Sequence, residues 1–403
     1  MVQFGKRMKI VKQALLLIMA SIQLSFSQSA QETLIPDPGE RLHLLAVLQD
    51  ISDWAVEAKL ESGELAIPDR RRTSVFINSN LSRVLLAAYE LTREEKYRRV
   101  ALAWFDHLAA LQQLTLSSRG DTVGYWGDFS PAGNIYLGDA GTSATALAGA
   151  VRYAQGERHS RYLRALQRYA DFVRFGCQND PQNKNRGGSP GWIISQGADV
   201  GAIGCGYYRG ELSLAPYTIA TSVTGAAFFS AWYQLTGEPV YLQIAEQATT
   251  WLLRTRRPDG EIPYLLHHRS YPEWPLDTMS YVSDGVIGVH LRSDHDGLKY
   301  EIARAMQRSL QWLLNRQTRQ GVWGKMRSED QQRSQGVLSL LVWHQTNVAA
   351  NERVRQSIQS NYRFFLDEKN SAAFGVKELP ITTGFVGLGI AEVLQPGITF
   401  IIK

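Results

Sequence analysis

LKYEIARAMQRSLQWLL, residues 298–314, and AGTSATALAGA, residues 140–150, are the two stretches that decide the fold. In the first, Leu298, Ile302, Met306, Leu310, Leu313 and Leu314 recur every three or four residues. A helix puts them all on one face and leaves Lys, Glu, Arg and Gln on the other. Tyr97, Val100, Trp104, Leu108 and Leu111 repeat the pattern, as do Tyr162, Leu166, Tyr169 and Val173. The second stretch carries no charge and is built from Gly, Ala, Ser, Thr and Leu. A helix apolar all round is buried on all sides, and small residues let its neighbours come close. Residues 222–232, 336–343 and 384–391 are of the same kind.

The two types alternate along the chain. Half-wet helices are expected to begin near residues 42, 95, 159, 238, 297 and 350, and buried ones near 78, 140, 221, 282, 334 and 383. This predicts about twelve helices in six hairpins, with an internal repeat of roughly 50–80 residues. Gly141, Gly225, Gly285, Gly336 and Gly384 each fall near the start of a buried helix. Six hairpins in order close naturally into one domain, residues 31–403: an all-α toroid with an inner ring of buried helices and an outer ring of half-wet ones. Turns from inner to outer helices are short, as at Thr92–Glu94, Gly156–Arg158 and Gly237. Connections from outer to inner helices are longer, the third being roughly 44 residues, and loops of that length usually serve a function. All the long ones leave at one end of the ring, which is where a site is expected.

Six such hairpins, with small-residue inner helices and long outer-to-inner loops, resemble the six-hairpin glycosidase-like (α/α)6 toroids. That superfamily includes glycoside hydrolases, unsaturated-uronyl hydrolases, lyases and epimerases. The resemblance covers nearly the whole chain after residue 30 and is architectural, with no motif that selects one family. It implies a carbohydrate-active protein whose cleft lies at the long-loop mouth. Fold alone does not assign the reaction.

The N-terminus reads as an export signal. Lys6, Arg7, Lys9 and Lys12 precede an apolar run from Ala14 to Phe26, then the small residues Ser25, Ser27 and Ser29. The run is shorter than the ~20 residues a spanning helix needs, which favours a cleaved signal at residues 1–30 over a membrane anchor. The expected location is secreted or periplasmic. Those thirty residues hold four of the 43 Lys and Arg and no Asp or Glu, leaving 39 basic against 38 acidic residues. The basic balance is therefore a targeting feature and gives no support for nucleic-acid binding. Cys177 and Cys205 are the only cysteines; in an oxidising compartment they are expected to pair as a disulfide across the third long loop. No metal or other cofactor is expected, because two cysteines make no multi-thiolate zinc site and the chain has no helical zinc motif. Oligomeric state is open.

The second long loop contains Tyr125, Trp126 and Asp128, and Asp139 follows at an inner-helix start. Aromatic rings stack on the C–H faces of sugars, while a carboxyl serves as general acid or base. The alternative is structural: Trp126 packs the loop, Asp128 caps a turn and Asp139 caps the helix. The fourth loop supplies His267, His268, Arg269, Trp274, Asp277, Tyr281 and Asp284. Glycoside hydrolysis needs two carboxyls roughly 5–10 Å apart, so Asp277 or Asp284 is the expected partner of Asp128; each reads equally as a surface acid or a cap. Tyr281 or His267 with Arg269 suits a uronate lyase or C5-epimerase, where a base meets a carboxylate-bearing sugar. Trp192 in loop three and Trp323 in loop five complete the candidate sugar contacts. Asp259-Gly260 reads as a turn. Asp294-His295-Asp296 falls on a short connection at the opposite end, and the sequon Asn80-Leu81-Ser82 falls at a helix start.

The leading expectation is a glycoside hydrolase with paired carboxylates, acting on an oligo- or polysaccharide. A uronate lyase or epimerase, and a non-catalytic carbohydrate- or protein-binding toroid, are the alternatives.

Overall fold

The computed structural model describes residues 34–65, 75–130, 132–179, 191–208, 211–264, 275–324, 335–367 and 383–400. Residues 1–30, read as an export signal, and His267, His268, Arg269 and Trp274 lie outside these residues. Among the described residues no helix is long and apolar enough to cross a membrane.

Among the described residues, twelve helices alternate as outer and inner members. The outer ones are α1 (Pro38–Glu57), α3 (Glu95–Ala110), α5 (Gly156–Phe175), α7 (Pro239–Thr255), α9 (Asp296–Leu314) and α11 (Glu352–Leu366). The inner ones are α2 (Val75–Thr92), α4 (Leu137–Ala150), α6, α8 (Pro275–Arg292), α10 and α12 (Thr383–Leu394). Helix α6 runs through Thr218–Ala220, a π-helical stretch Thr221–Phe228, and Phe229–Thr236; α10 runs through Gln335–Val337, Leu338–Trp343 and His344–Val348. Each inner helix packs on the next, and α12 packs back on α2, so the inner ring closes. The outer ring closes too: Glu40 of α1 accepts hydrogen bonds from Tyr362 (2.8 Å) and Arg363 (2.8 Å) of α11.

The apolar stripes of the outer helices are what the inner ring rests on. Leu298, Ile302, Met306, Leu310 and Leu313 are buried, and so are Tyr162, Leu166, Tyr169 and Val173. The small-residue positions are where backbones meet. A Cβ on Gly141 would fall 2.0 Å from Thr224 Oγ1, on Gly285 2.5 Å from Ser222 Oγ, and on Gly384 2.8 Å from Asn80 Cβ. Hydroxyls bridge the same contacts: Ser222 donates to the Tyr281 carbonyl (2.7 Å) and Thr224 to the Leu137 carbonyl. The π-helical stretch of α6 lies at this contact, between α4 and α8.

Three findings differ from expectation. The long loops hold two small antiparallel sheets: β1 (Gln113–Leu116) with β2 (Thr122–Tyr125), and β3 (Asn134–Tyr136), β4 (Gly204–Tyr208) and β5 (Glu211–Pro216) in the order β3-β4-β5. Helix α8 begins at Pro275, seven residues before the sequence suggested, because proline suits a first helical turn. The expected disulfide is not formed. The Cys177 thiol lies beside Tyr125, just past the end of α5, and Gln178 is hydrogen-bonded to Leu116 of β1. Cys205 sits in β4, where its thiol bears on Asp139 and Tyr217.

Candidate active site

Every inner helix starts where an outer-to-inner loop ends, so all six inner N-termini open on one mouth. Their exposed N–H groups make that mouth mildly electropositive. The sheet β3-β4-β5 ties the second long loop to the third and walls one side. On the opposite end the connections are only a few residues, such as Arg93–Glu94 and Gly237–Glu238. His295 there caps α9 by accepting from Leu298 N (3.2 Å), which accounts for the Asp294-His295-Asp296 cluster.

Three successive inner helices, α4, α6 and α8, begin side by side along one arc of the mouth, each with polar residues at its start. Asp139 lies half-buried in the first turn of α4, and Asp277, only 2% exposed, in the first turn of α8. Between them stands the start of α6, where Thr218 donates to the Pro263 carbonyl (2.6 Å) and so anchors the fourth loop. Tyr217, just before α6, directs its hydroxyl to that of Tyr264 (3.3 Å), with the two rings edge to face. Burial, then Tyr264, Cys205 and Asp139, push the Tyr217 phenol well above its ordinary range. It therefore stays protonated at neutral pH and serves as a donor, not a base. Burial likewise pushes the Cys205 thiol up to about 11, which leaves it unreactive as a nucleophile. Tyr217 was not singled out in the sequence; the signal available was a tyrosine immediately before a buried-helix start.

Nearer the first loop, the Lys59 ammonium donates to Gly63 O (2.6 Å), Ser82 Oγ (3.3 Å) and Asn78 Oδ1 (3.4 Å). Desolvation lowers its pKa to about 7, opposed by Glu64. These bonds fasten loop one onto α2.

The other candidates fall elsewhere. Asp128 is exposed and spends both oxygens on Ser130, accepting from its N (2.9 Å) and its hydroxyl (2.5 Å). Those bonds hold its carboxyl below the usual range, as expected of a turn cap and unlike a general acid. Trp126 is 3% exposed, donates to the Leu108 carbonyl (2.8 Å) and lies against Tyr169. Tyr125 and Trp192 both pack on Phe172 of α5. Trp323 is fully buried and donates to the Leu313 carbonyl (2.9 Å). These four rings pin loops onto outer helices and present no face to a sugar, so the stacking expected of them is corrected. Tyr281 is 6% exposed and edge-on to Phe385 of α12. Asn80 is 3% exposed inside the ring, beyond reach as a glycosylation acceptor.

Asp284 lies on the same face of α8 as Asp277 but seven residues on, about 10 Å deeper along the axis. Its two oxygens take both ends of the Arg83 guanidinium (2.8 and 3.2 Å). That pair links the first and fourth inner helices across the ring, where Glu392 of α12 also bears on Arg83. Glu392 in turn accepts from Gly397 N (2.7 Å) and Thr399 N (2.8 Å), fixing the C-terminal segment under the ring. Arg83 and Asp284 line a cavity with Gly149, Arg152, Ala231, Arg292 and Phe400, toward the C-terminal ends of the inner helices, so Asp284 lies away from the mouth.

No protein-family model matches the chain, and no curated protein matches it. Solved structures do. An α-1,6-mannanase of glycoside hydrolase family 76 from Salegentibacter sp. HEL1_6 aligns with a TM-score of 0.56 at 12% identity, over 87% of this chain and 98% of that one. A possible family 105 member from Salmonella enterica serovar Paratyphi A aligns with a TM-score of 0.56 at 12% identity, over 88% and 94%. A polysaccharide lyase gives 0.54 at 9% identity, over 88% and 97%. All are glycosidase-like toroids, and the chain has the (α/α)6 toroid fold over its full described length.

Proposed function

We propose that the chain is an exported glycoside hydrolase that works at the long-loop mouth, with Asp277 and Asp139 as its carboxyl pair. The observation that carries this reading is the arc itself: two acids in the first turns of α4 and α8, flanking the start of α6, beside a phenol held protonated. A hydrolase needs one group to protonate the leaving oxygen and a second carboxylate to activate water or attack the sugar. Asp277, enclosed by protein, suits delivery of the proton; Asp139, half-exposed, suits the side where water enters. Tyr217 donates to Tyr264 and so orders the hydroxyls beside the pair.

The family 76 mannanase binds α-1,6-mannotriose in a variant made inactive by replacing two consecutive aspartates. No two aspartates are consecutive in the present sequence. The pair proposed here comes instead from separate elements, α4 and α8. The basic head and apolar run before residue 30 support export.

The test is a panel of neutral and uronate-containing oligosaccharides, read by reducing ends and by ultraviolet absorbance. The expected result is new reducing ends without a new sugar double bond, and a fall of about 10²–10⁴ in kcat for Asp277→Asn. A new absorbance would make the protein a lyase. Full activity in Asp277→Asn would remove that residue from the mechanism.

A further inference from the structure

A second feature lies outside the ring, where α7 ends and the fourth loop begins. Arg256 is the first residue past α7, and the tight turn that follows seats Gly260 directly on α9: a Cβ there would be 2.3 Å from Arg308 O. The guanidinium of Arg256 faces Arg304 and Arg308, one helical turn apart on α9, and its own Nε and Nη1 are buried with no acceptor. Arg304 and Arg308 are exposed, and among the described residues neither they nor Arg256 enters an ion pair. Of the acids on the neighbouring segments, Glu261 pairs with Arg257 (2.8 Å), Asp259 accepts from Glu261 N (3.1 Å), and Glu301 lies exposed one turn before Arg304 with no ion pair to the three arginines. Tyr300, 68% exposed, stands one turn before Arg304 on the same stripe of α9.

Three like charges with no ion-pair partner among the described residues repel one another, and burial of a guanidinium without an acceptor adds to the cost. Such a cluster is compensated when an anion lies across it. We propose that Arg256, Arg304, Arg308 and Tyr300 form an exosite for a polyanionic glycan, one bearing carboxylate or sulfate groups. Arginine is the residue suited to such groups, since its planar fork matches their oxygens. The steps from Tyr300 to Arg304 to Arg308 are roughly 6 Å each along the helix, so an extended chain lying on α9 meets a ring and then two cations. The stacking face of Tyr300 favours a sugar polymer over a lipid surface, because no other large apolar side chain of α9 is exposed. The cluster adjoins the loop that runs on into the mouth, so a chain held there lies beside the proposed cleft. The choice of a glycan as ligand rests on the carbohydrate reading above; the charge argument does not.

Binding of polygalacturonate, heparin, neutral mannan and phosphatidylglycerol vesicles to the full chain tests this, at low and at raised salt. Wild type is expected to bind the two polyanions and to lose affinity with salt. Arg304→Gln/Arg308→Gln is expected to bind them at least about tenfold more weakly, with Arg256→Gln in the same direction. Both substituted α9 positions are exposed, so the double variant should fold, and an unchanged melting profile checks that it does. It is expected to keep turnover on short oligosaccharides, whereas Asp277→Asn loses turnover and keeps polyanion binding. Equal polyanion binding by wild type and the double variant, no binding by wild type, or binding to vesicles alone each overturns the exosite. Intact turnover in Asp277→Asn would instead overturn the catalytic reading and leave the exosite standing.

Discussion

His290 accepts a hydrogen bond at Nδ1 from the Trp343 indole (3.4 Å), with the two rings edge to face. Burial, and then Lys299, push its pKa down to about 4. The unfolded chain takes up a proton near the ordinary value of 6.5, while the folded protein refuses it until near 4. Stability contributed by the neutral imidazole is thus present above pH 6.5 and lost as pH falls through that window. Thermal melting of wild type should drop between about pH 7 and 4.5, and drop less in His290→Gln. Parallel acid slopes in the two proteins would show that His290 is not what titrates. Residue identity was a poor guide to role at the mouth. Trp126, Trp192 and Trp323 carry the letters of sugar platforms, but each indole faces an outer helix, and sequence does not say which way a loop ring turns. Asp128 followed by Ser130 was readable as a turn cap from its spacing alone.

Four of the long loops open with one and the same turn. In each, a residue's N–H bonds the carbonyl four residues on, while its own carbonyl accepts from a glycine between them: Leu60 with Gly63, Ser117 with Gly120, Arg257 with Gly260, Thr318 with Gly321. All four glycines have positive φ, from 76° to 107°, which disfavours any side chain. Three of them also press on the next outer helix; a Cβ on Gly260 or Gly321 would sit 2.3 Å from the Arg308 or Ser360 carbonyl oxygen. Gly120 has open space around it. Gly120→Ala should therefore cost only the backbone term, about 1–2 kcal/mol. Gly260→Ala and Gly321→Ala should cost an additional ~1–3 kcal/mol for the forced contact, read by denaturant unfolding. Equal losses at all three sites would refute the packing argument. This repeat was legible at residues 257–261, where Asp-Gly reads as a turn. Helix boundaries were less so: α8 starts at Pro275 because the apolar pattern of its first turns continues behind Asp277, and that shift moves Asp284 from a helix start to the ring floor.

At the scale of the whole molecule, the ring was legible because burial on all sides is a compositional property. Charge-free helices of Gly, Ala, Ser and Thr have to lie inside a layer of half-wet ones, and six pairs in order close upon themselves. The interior ion pair left a trace too. Arg83 is an isolated charge among apolar neighbours, and Asp284 across the ring makes its burial tolerable. What the sequence did not carry was how loops two and three join through β3-β4-β5, since strand pairing between distant loops depends on register that no local pattern specifies. The sheet in turn brings Cys205 toward Asp139 and Tyr217 instead of toward Cys177.

The account stands or falls on whether the arc at α4, α6 and α8 is the reacting centre. The most direct measurement is calorimetric titration of Asp139→Asn with an oligosaccharide that the wild-type protein cleaves, alongside its turnover. The account predicts an affinity close to that of the wild type with turnover reduced about 10²–10⁴-fold. Turnover equal to wild type would place the chemistry elsewhere in the mouth and contradict it.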